Sequence, residues 1–409
     1  MKSTFVIVGA SLAGAKAAET LRAEGFDGRV VLIGAELDRP YERPPLSKGF
    51  LAGTSAKDEI YVHAASWYAE QDVDLRLGTR ATALDTAAHT LTLDGGESLG
   101  YSKLLLTTGS TPRRLDVPGI DLGGVFTLRT VGDAEALRAA IGRGGSVVVV
   151  GGGWIGLETA AAARGYDAGV TLLEPQPTPL HAVLGPELGE VFALLHRDHG
   201  VDLRVNTGVR AIRGAAGRAV GVVTDAGDEL AADTVIVGVG IRPNVELAEQ
   251  AGLTVDNGIL VDAQLQTSDP DVFAAGDVAN AHHPLLDRHI RLEHWANALH
   301  GGPAAARSML GTDQGYDRVP YFFSDQYDLG MEYTGLAAPG DYEQVVIRGD
   351  QHKREFIAFW LKQGRVLAGM NVNIWDVTEP IQRLIRSAAQ VDPSRLADTS
   401  IPLDQVPRA

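Results

Sequence analysis

The chain has 409 residues, 45% of them hydrophobic, with a net charge of −16 and no cysteine. Its length and balanced hydropathy describe a globular protein of two or three domains. The charge argues against nucleic acid, which demands a basic footprint. The missing cysteine excludes disulfides, thiolate metal sites, a bound iron–sulfur cluster and any thiol nucleophile or redox relay in this chain. The apolar runs stay short of the ~20 residues of a membrane span, so no membrane association is expected. Met1 to Ser3 lead straight into Phe5-Val6-Ile7-Val8 without a charged region or cleavage site. No secretory signal is therefore expected, and the expected location is the cytoplasm.

The first element is an apolar strand, a glycine turn and an Ala-rich helix: Phe5-Val-Ile-Val-Gly-Ala-Ser-Leu-Ala-Gly14, then Ala15 to Glu24. A second strand follows at Val30–Ile33, and a further one at Lys103–Thr108. The opening pattern returns 142 residues after Gly9 as Val147-Val-Val-Val-Gly-Gly-Gly-Trp-Ile-Gly156, with an Ala-rich helix over Leu157–Arg164 and a strand at Val170–Leu173. Two such βαβ openings begin two doubly wound domains. Thr234–Val239 reads as another buried parallel strand. Past Tyr316 the texture changes. Tyr342–Arg348, Glu355–Leu361 and Arg365–Gly369 read as antiparallel strands with turns at Gly349-Asp350 and Gln363-Gly364, and a helix is expected over Glu379–Ala389. The expected fold is α/β: two Rossmann-like dinucleotide-binding domains and a C-terminal α+β domain. The expected boundaries are 1–112 with 242–311, then 113–241, then 312–409.

In the second copy the fingerprint is complete, with Gly151, Gly153 and Gly156. Glycines there permit the tight turn, close approach of a pyrophosphate and close helix–strand packing, and the helix N-terminus favours the phosphate charge. Glu174 stands at the end of the next strand, where an acid hydrogen-bonds ribose hydroxyls and repels a 2′-phosphate. Pro175-Gln-Pro-Thr-Pro179 offers no cation to that phosphate, so NAD is expected over NADP. In the first copy Gly9 and Gly14 are kept and Ser11 replaces the middle glycine, while Glu36 is the ribose acid. Serine is small enough to keep the close approach, and its hydroxyl can donate. A third element, Thr267–Val278, is a short strand ending in Gly276-Asp277, whose carboxylate can accept from a sugar-alcohol hydroxyl.

The two fingerprints, Thr107-Thr-Gly109, Gly238-Val-Gly-Ile-Arg-Pro-Asn244 and the Asp277 segment together resemble the pyridine-nucleotide-disulfide oxidoreductase superfamily, in the family's order. Zero cysteine points to its thiol-free branch. Within that branch Tyr41-Glu-Arg-Pro-Pro-Leu-Ser-Lys48, Arg291-Leu-Glu-His-Trp-Ala-Asn297 and Tyr321-Phe-Phe-Ser-Asp-Gln-Tyr327 resemble the NADH-dependent ferredoxin reductases that serve oxygenases. The resemblance implies FAD on the first fold, held by Gly9, Ser11, Leu12, Ala13, Gly14, Glu36, Arg43, Pro45, Lys48, Thr82, Thr108, Gly109, Arg129, Gly276, Asp277 and Trp295. It implies NADH on the second, at Gly151, Gly153, Trp154, Ile155, Gly156, Glu174 and Gly240. It also implies that Lys48 lies against the flavin and pairs with Glu158, the two catalytic candidates. Phe323 departs from several relatives, which carry tryptophan there.

The implied reaction passes a hydride from NADH to flavin N5, then electrons one at a time to a [2Fe-2S] ferredoxin feeding a haem-thiolate or Rieske-type oxygenase. A buried Lys48–Glu158 pair would keep both groups ionised and place positive charge beside the flavin. Docking of an acidic ferredoxin on an acidic chain calls for a local basic patch, with Arg291, Arg307, Arg318, Lys353 and Arg354 as candidates. A rubredoxin reductase, an NADH oxidase or a redox-sensing binding protein like apoptosis-inducing factor are the alternatives. His282, His283, His289 and His294 cluster in sequence, but their spacing fits no zinc pattern, so no metal is expected.

Overall fold

Runs such as Val147–Val150 have no polar face to offer water, so they form strands only where both faces are covered. The structure is a computed structural model that describes residues 3–312 and 315–407. Met1, Lys2, Asp313, Gln314, Arg408 and Ala409 lie outside them, and with them the chain-end bounds of the expected segments. Two compact units result. The first comprises residues up to Arg43, Lys57–Thr111 and Ile241–Arg318; the second comprises Pro44–Ala56, Pro112–Gly240 and the chain from Val319 on.

In the first unit a parallel sheet runs in the order Val272–Ala274, Lys103–Leu106, Thr4–Val8, Arg29–Ile33, Val73–Arg76. Thr4–Val8 is the central strand, and Val6, Ile7, Leu104 and Leu105 are wholly buried. The helix after the first glycine turn spans Leu12–Ala23, three residues earlier than expected, because Ser11 is already its N-cap. It packs on the helix Trp295–Met309, where Gly302 faces the backbone of Ala13. A Cβ at Gly302 would stand 2.1 Å from the Ala13 carbonyl oxygen.

The second unit repeats the pattern: Asp202–Val205, Gly169–Glu174, Ser146–Val150, Thr234–Val237, Val125–Phe126, again parallel. Its helix after the glycine turn spans Trp154–Arg164 and buries Leu157, Ala160 and Ala163. The C-terminal part adds a five-stranded antiparallel sheet in the order Tyr321–Gln326, Leu329–Gly335, Arg365–Val372, Glu355–Lys362, Gln344–Asp350. One hydrophobic cluster joins this sheet, through Met331, Tyr333 and Trp360, to Leu157, Leu188 and Phe192. Residues 44–56 also belong to this unit. Leu51 is a wholly buried member of the same cluster, and the Tyr166 hydroxyl donates to its carbonyl at 3.0 Å.

One turn sits later than expected. Gly349 and Asp350 end their strand, and the reversal is made by Gln351–Arg354. The Asp350 carboxylate accepts from the N–H groups of His352 and Lys353 and so caps the turn from below. Gly349 is required for a different reason: it has φ +111°, and a Cβ there would meet the Glu355 carbonyl at 2.5 Å across the ladder. The helix expected over Glu379–Ala389 runs over Thr378–Ser387.

The Gly302–Ala13 approach holds the glycine turn of the first unit from behind. Gly302→Ala is expected to cost about 1–3 kcal/mol through overpacking, read as a lowered urea midpoint; an unchanged midpoint would mean that the two helices separate freely.

Candidate functional site

In the first unit the turn after the central strand is closed by atoms that leave no room for side chains. Gly9 has φ +122°, and a Cβ there would lie 2.1 Å from the Thr107 carbonyl oxygen. A Cβ on Gly14 would lie 2.2 Å from the Gly9 carbonyl. Leu12 and Ala13 are buried in the first helical turn. Ser11 caps that helix without a side-chain cap bond, so its hydroxyl is available to a phosphate oxygen. This is a cradle of the shape a pyrophosphate requires.

Around the cradle the structure assembles most of the expected partners. Glu36 follows the second strand and accepts from the Tyr41 hydroxyl and from Arg43 Nη2 at 2.9 Å. Arg43 also donates to the Tyr41 oxygen at 3.0 Å. Burial opposes the Arg43 charge, but Tyr41, Glu36 and Asp277 outweigh it and raise its pKa above the ordinary value. Asp277 lies at the end of the strand Val272–Ala274, in a turn that Gly276 enters at φ +77°. Its carboxylate accepts from Ser110 at 2.8 Å. Thr108 and Gly109 are pinned by Asn244: the Thr108 hydroxyl donates to the Asn244 carbonyl, and the Asn244 amide donates back to Thr108, each at 2.8 Å. Trp295 opens its helix behind His294, whose pKa burial pushes down to about 4. Thr82 is exposed on the strand Ala81–Asp85, and its hydroxyl donates to the Thr92 carbonyl at 3.2 Å.

The remaining residues that the resemblance gives to FAD, namely Pro45, Lys48 and Arg129, lie in the second unit. Arg129 precedes the capping box of the helix Val131–Ile141, and its N–H donates to Asp133 at 3.1 Å. Pro45 lies in a single helical turn, Pro44–Ser47, that delivers Lys48. Lys48 Nζ stands 2.8 Å from Glu158 Oε1 and 5.4 Å from the centre of the Phe323 ring. Glu158 is 4% exposed on the helix Trp154–Arg164. Two hydroxyls that sequence reasoning missed complete its shell: Ser47 donates to Oε2 at 2.5 Å and Ser324 to Oε1 at 2.7 Å. Both lie inside quoted motifs, one residue before Lys48 and one after Phe323. A hydroxyl beside a charge carries no signal until the fold shows which way it points.

The second glycine turn is as tight as the first. A Cβ on Gly151 would meet the Gly238 carbonyl at 2.4 Å, and one on Gly156 would meet the Gly151 carbonyl at 1.9 Å. At Gly153, the N-cap, nothing lies within 4 Å of such a Cβ, so a phosphate has open access there. Trp154 packs edge-on against Phe192 and Phe322, while Ile155 is 41% exposed. Gly240 has φ +99°. Glu174 is 8% exposed, and its carboxylate accepts from the N–H of Gly152 at 2.6 Å and of Gln176 at 2.8 Å. The expected ribose acid therefore also ties down the glycine turn. Both cradles fit a dinucleotide.

The expected docking cations are not a single exposed set. Arg291, Arg307 and Arg318 lie in the first unit, Lys353 and Arg354 in the second. The Arg291 side chain is 9% exposed and is held by Glu293 and the Asp277 carbonyl. Arg307 pairs with Glu24, and Arg354 with Asp198. Lys353 is 72% exposed, with Asp350 at 3.8 Å. The histidines have separate tasks: His282 and His289 meet edge-on, and His283 contacts the Arg318 carbonyl at 2.9 Å. No helix among the described residues is long and apolar enough to cross a membrane.

Comparison with known proteins bears out the resemblance. Residues 3–302 match the pyridine nucleotide-disulphide oxidoreductase model, and residues 321–406 match a reductase C-terminal model. The ferredoxin–NAD(+) reductase component of an anthranilate 1,2-dioxygenase system from Burkholderia cepacia is 45% identical, over 98% of each chain. Rhodocoxin reductase from Rhodococcus erythropolis is 37% identical, over 98% of this chain and 93% of its own. Among solved structures, a covalent putidaredoxin reductase–putidaredoxin complex superposes with a TM-score of 0.95 at 37% identity, covering 99% of this chain and 98% of that one.

The tightness of the second turn gives a test of its role. Gly156→Ala is expected to weaken NADH binding about fivefold or more, since relieving a buried clash costs roughly 1–3 kcal/mol, while flavin content stays unchanged. Titration calorimetry on the purified variant reads the first quantity and absorbance the second.

Proposed function

The chain belongs to the pyridine nucleotide-disulphide oxidoreductase family, and we propose that within it this protein is an NADH:ferredoxin oxidoreductase of an oxygenase system. The observation that carries the reading is two tight dinucleotide cradles, each with an acid after its second strand, in a chain that holds no cysteine. Electrons from a nicotinamide cannot pass to an internal thiol here, so they leave for an outside carrier. The printed name of a relative from a dioxygenase system supports a ferredoxin as that carrier and an oxygenase beyond it; in our reading the ferredoxin is of the [2Fe-2S] type and the oxygenase is haem-thiolate or Rieske-type.

FAD, when bound, accepts the hydride from NADH and releases electrons singly. The work left to the protein is positional. In our reading Gly9, Ser11 and Gly14 admit the FAD pyrophosphate, Glu36 holds its adenosine ribose, and Asp277 accepts from its sugar-alcohol chain. Gly151, Gly153 and Gly156 admit the pyrophosphate of NADH, and Glu174 meets its ribose. Lys48, held by Glu158, presents fixed positive charge to the flavin ring. No general base is required. We place the protein in the cytoplasm, where its nicotinamide donor is found.

Two expected outcomes test this. NADH should reduce a panel of [2Fe-2S] ferredoxins with at least one rapid partner, and NADPH should be at least about tenfold poorer, as a carboxylate facing a 2′-phosphate dictates. Rapid turnover with oxygen alone would instead mark an oxidase, transfer only to rubredoxin a rubredoxin reductase, and a long-lived reduced complex without turnover a redox sensor. Separately, Asp277→Ala should be purified with flavin content lowered about tenfold or more, since a hydrogen bond to a charged group contributes about 1.5–3 kcal/mol. Full flavin content in that variant would contradict the role given to Asp277.

A further inference from the structure

Strand Tyr321–Gln326 alternates, so Ser324 and Gln326 turn to the same buried face. That face meets Glu158 on the helix Trp154–Arg164 and His196 on the helix His181–Asp198. A continuous line of hydrogen bonds results. Ser324 Oγ is 2.7 Å from Glu158 Oε1, Gln326 Nε2 is 3.1 Å from Ser324 Oγ, His196 Nε2 is 2.9 Å from Gln326 Oε1, and the Tyr327 hydroxyl is 3.3 Å from His196 Nδ1. Ser324, Gln326 and His196 are each 1% exposed or less.

The polarity of this line follows from its end. A carboxylate paired with an ammonium has only lone pairs to offer. Ser324 must therefore donate to it, and its oxygen is left to accept from Gln326. Gln326 must then present its amide nitrogen to Ser324 and its oxygen to His196, so His196 carries its proton on Nε2. Nδ1 is left to accept from Tyr327. Burial pushes the His196 pKa down to about 4 and raises that of Tyr327, which keeps one ring nitrogen of His196 an acceptor and the phenol a donor. Every link points toward Glu158. The line does not conduct protons, because the amide of Gln326 receives at oxygen and gives from nitrogen, and those are different atoms.

We propose that Ser324, Gln326 and His196 are positioning residues: a one-way chain of donors from the C-terminal sheet that fixes the Glu158 carboxylate and, through it, the charge that Lys48 presents to the flavin. The inference rests on the reading of Lys48 given above. Without the Ser324 donor, Glu158 leans further on Lys48, and the ammonium is drawn toward the carboxylate and screened by it.

The test uses the flavin-loaded protein and reads the midpoint potential of the flavin together with the rate of its reduction by NADH in stopped flow. Lys48→Gln removes the charge but keeps a donor for Glu158, so it sets the direction of the shift. Ser324→Ala is expected to move the potential the same way by less and to slow reduction about tenfold, the size of one lost hydrogen bond to a charged group. Ser324→Thr should restore both. In the Lys48→Gln background Ser324→Ala should change neither, because it acts through Lys48. Gln326→Leu removes the donor that holds the Ser324 oxygen and should move both quantities in the direction of Ser324→Ala, by less. A normal flavin in Ser324→Ala and Gln326→Leu beside a shifted one in Lys48→Gln would overturn this inference alone. A normal flavin in Lys48→Gln would overturn the reading of Lys48 and the inference with it. An equal effect of Ser324→Ala in both backgrounds would mark Ser324 as merely structural.

Discussion

Removing a carboxylate from water costs several kcal/mol unless its lone pairs are met by donors and its charge by a cation. Glu158 meets that condition through Lys48, Ser47 and Ser324. The donors come from two separate stretches of chain and the acceptor from a third, so the shell is complete only when the segment 44–56, the second dinucleotide fold and the C-terminal sheet are all in place. The hydrophobic cluster around Leu51, Leu157, Phe192 and Trp360 supplies the adhesion of this unit. Hydrogen bonding to Glu158 supplies its register: a slide of the strand Tyr321–Gln326 by one residue would turn Ser324 and Gln326 to the opposite face.

The fold was legible in the sequence where physics acts locally. Continuous apolar runs of four or five residues ending in glycine, twice over, left little choice but buried parallel strands entering glycine turns. The first strand and its partners lie where the pattern placed them. Boundaries were less legible where a cap decides. Ser11 and Gly153 start their helices several residues before the alanine runs that drew attention. At Gly349-Asp350 the usual turn chemistry misled, because glycine served a close backbone contact and aspartate the cap of the following turn.

For the site, backbone requirements were legible and side-chain company was not. Gly9, Gly14, Gly151 and Gly156 stand where contacts near 2 Å would meet any side chain, and such positions announce themselves by spacing. Lys48 and Glu158 lie 110 residues apart, and nothing in composition or periodicity joins them; the resemblance did. Ser47, Ser110 and Ser324 act by orientation alone, which one-dimensional patterns do not carry. Arg291 illustrates the converse. It counted as a surface charge until the fold placed it against Glu293 and the backbone of Asp277.

The contact between Glu174 and the N–H of Gly152 has a meaning for coenzyme choice. The acid that we assign to the ribose is at the same time the peg on which the glycine turn hangs. Selectivity and loop rigidity are thus carried by one carboxylate and are inherited together. A lineage or a designer moving this scaffold toward a phosphorylated coenzyme gains nothing from simply deleting the acid, because the turn loses its anchor at the same step. A replacement has to bring an acceptor of its own to Gly152 along with a cation for the new phosphate. That double requirement is a physical reason for coenzyme preference on this fold to resist single substitutions.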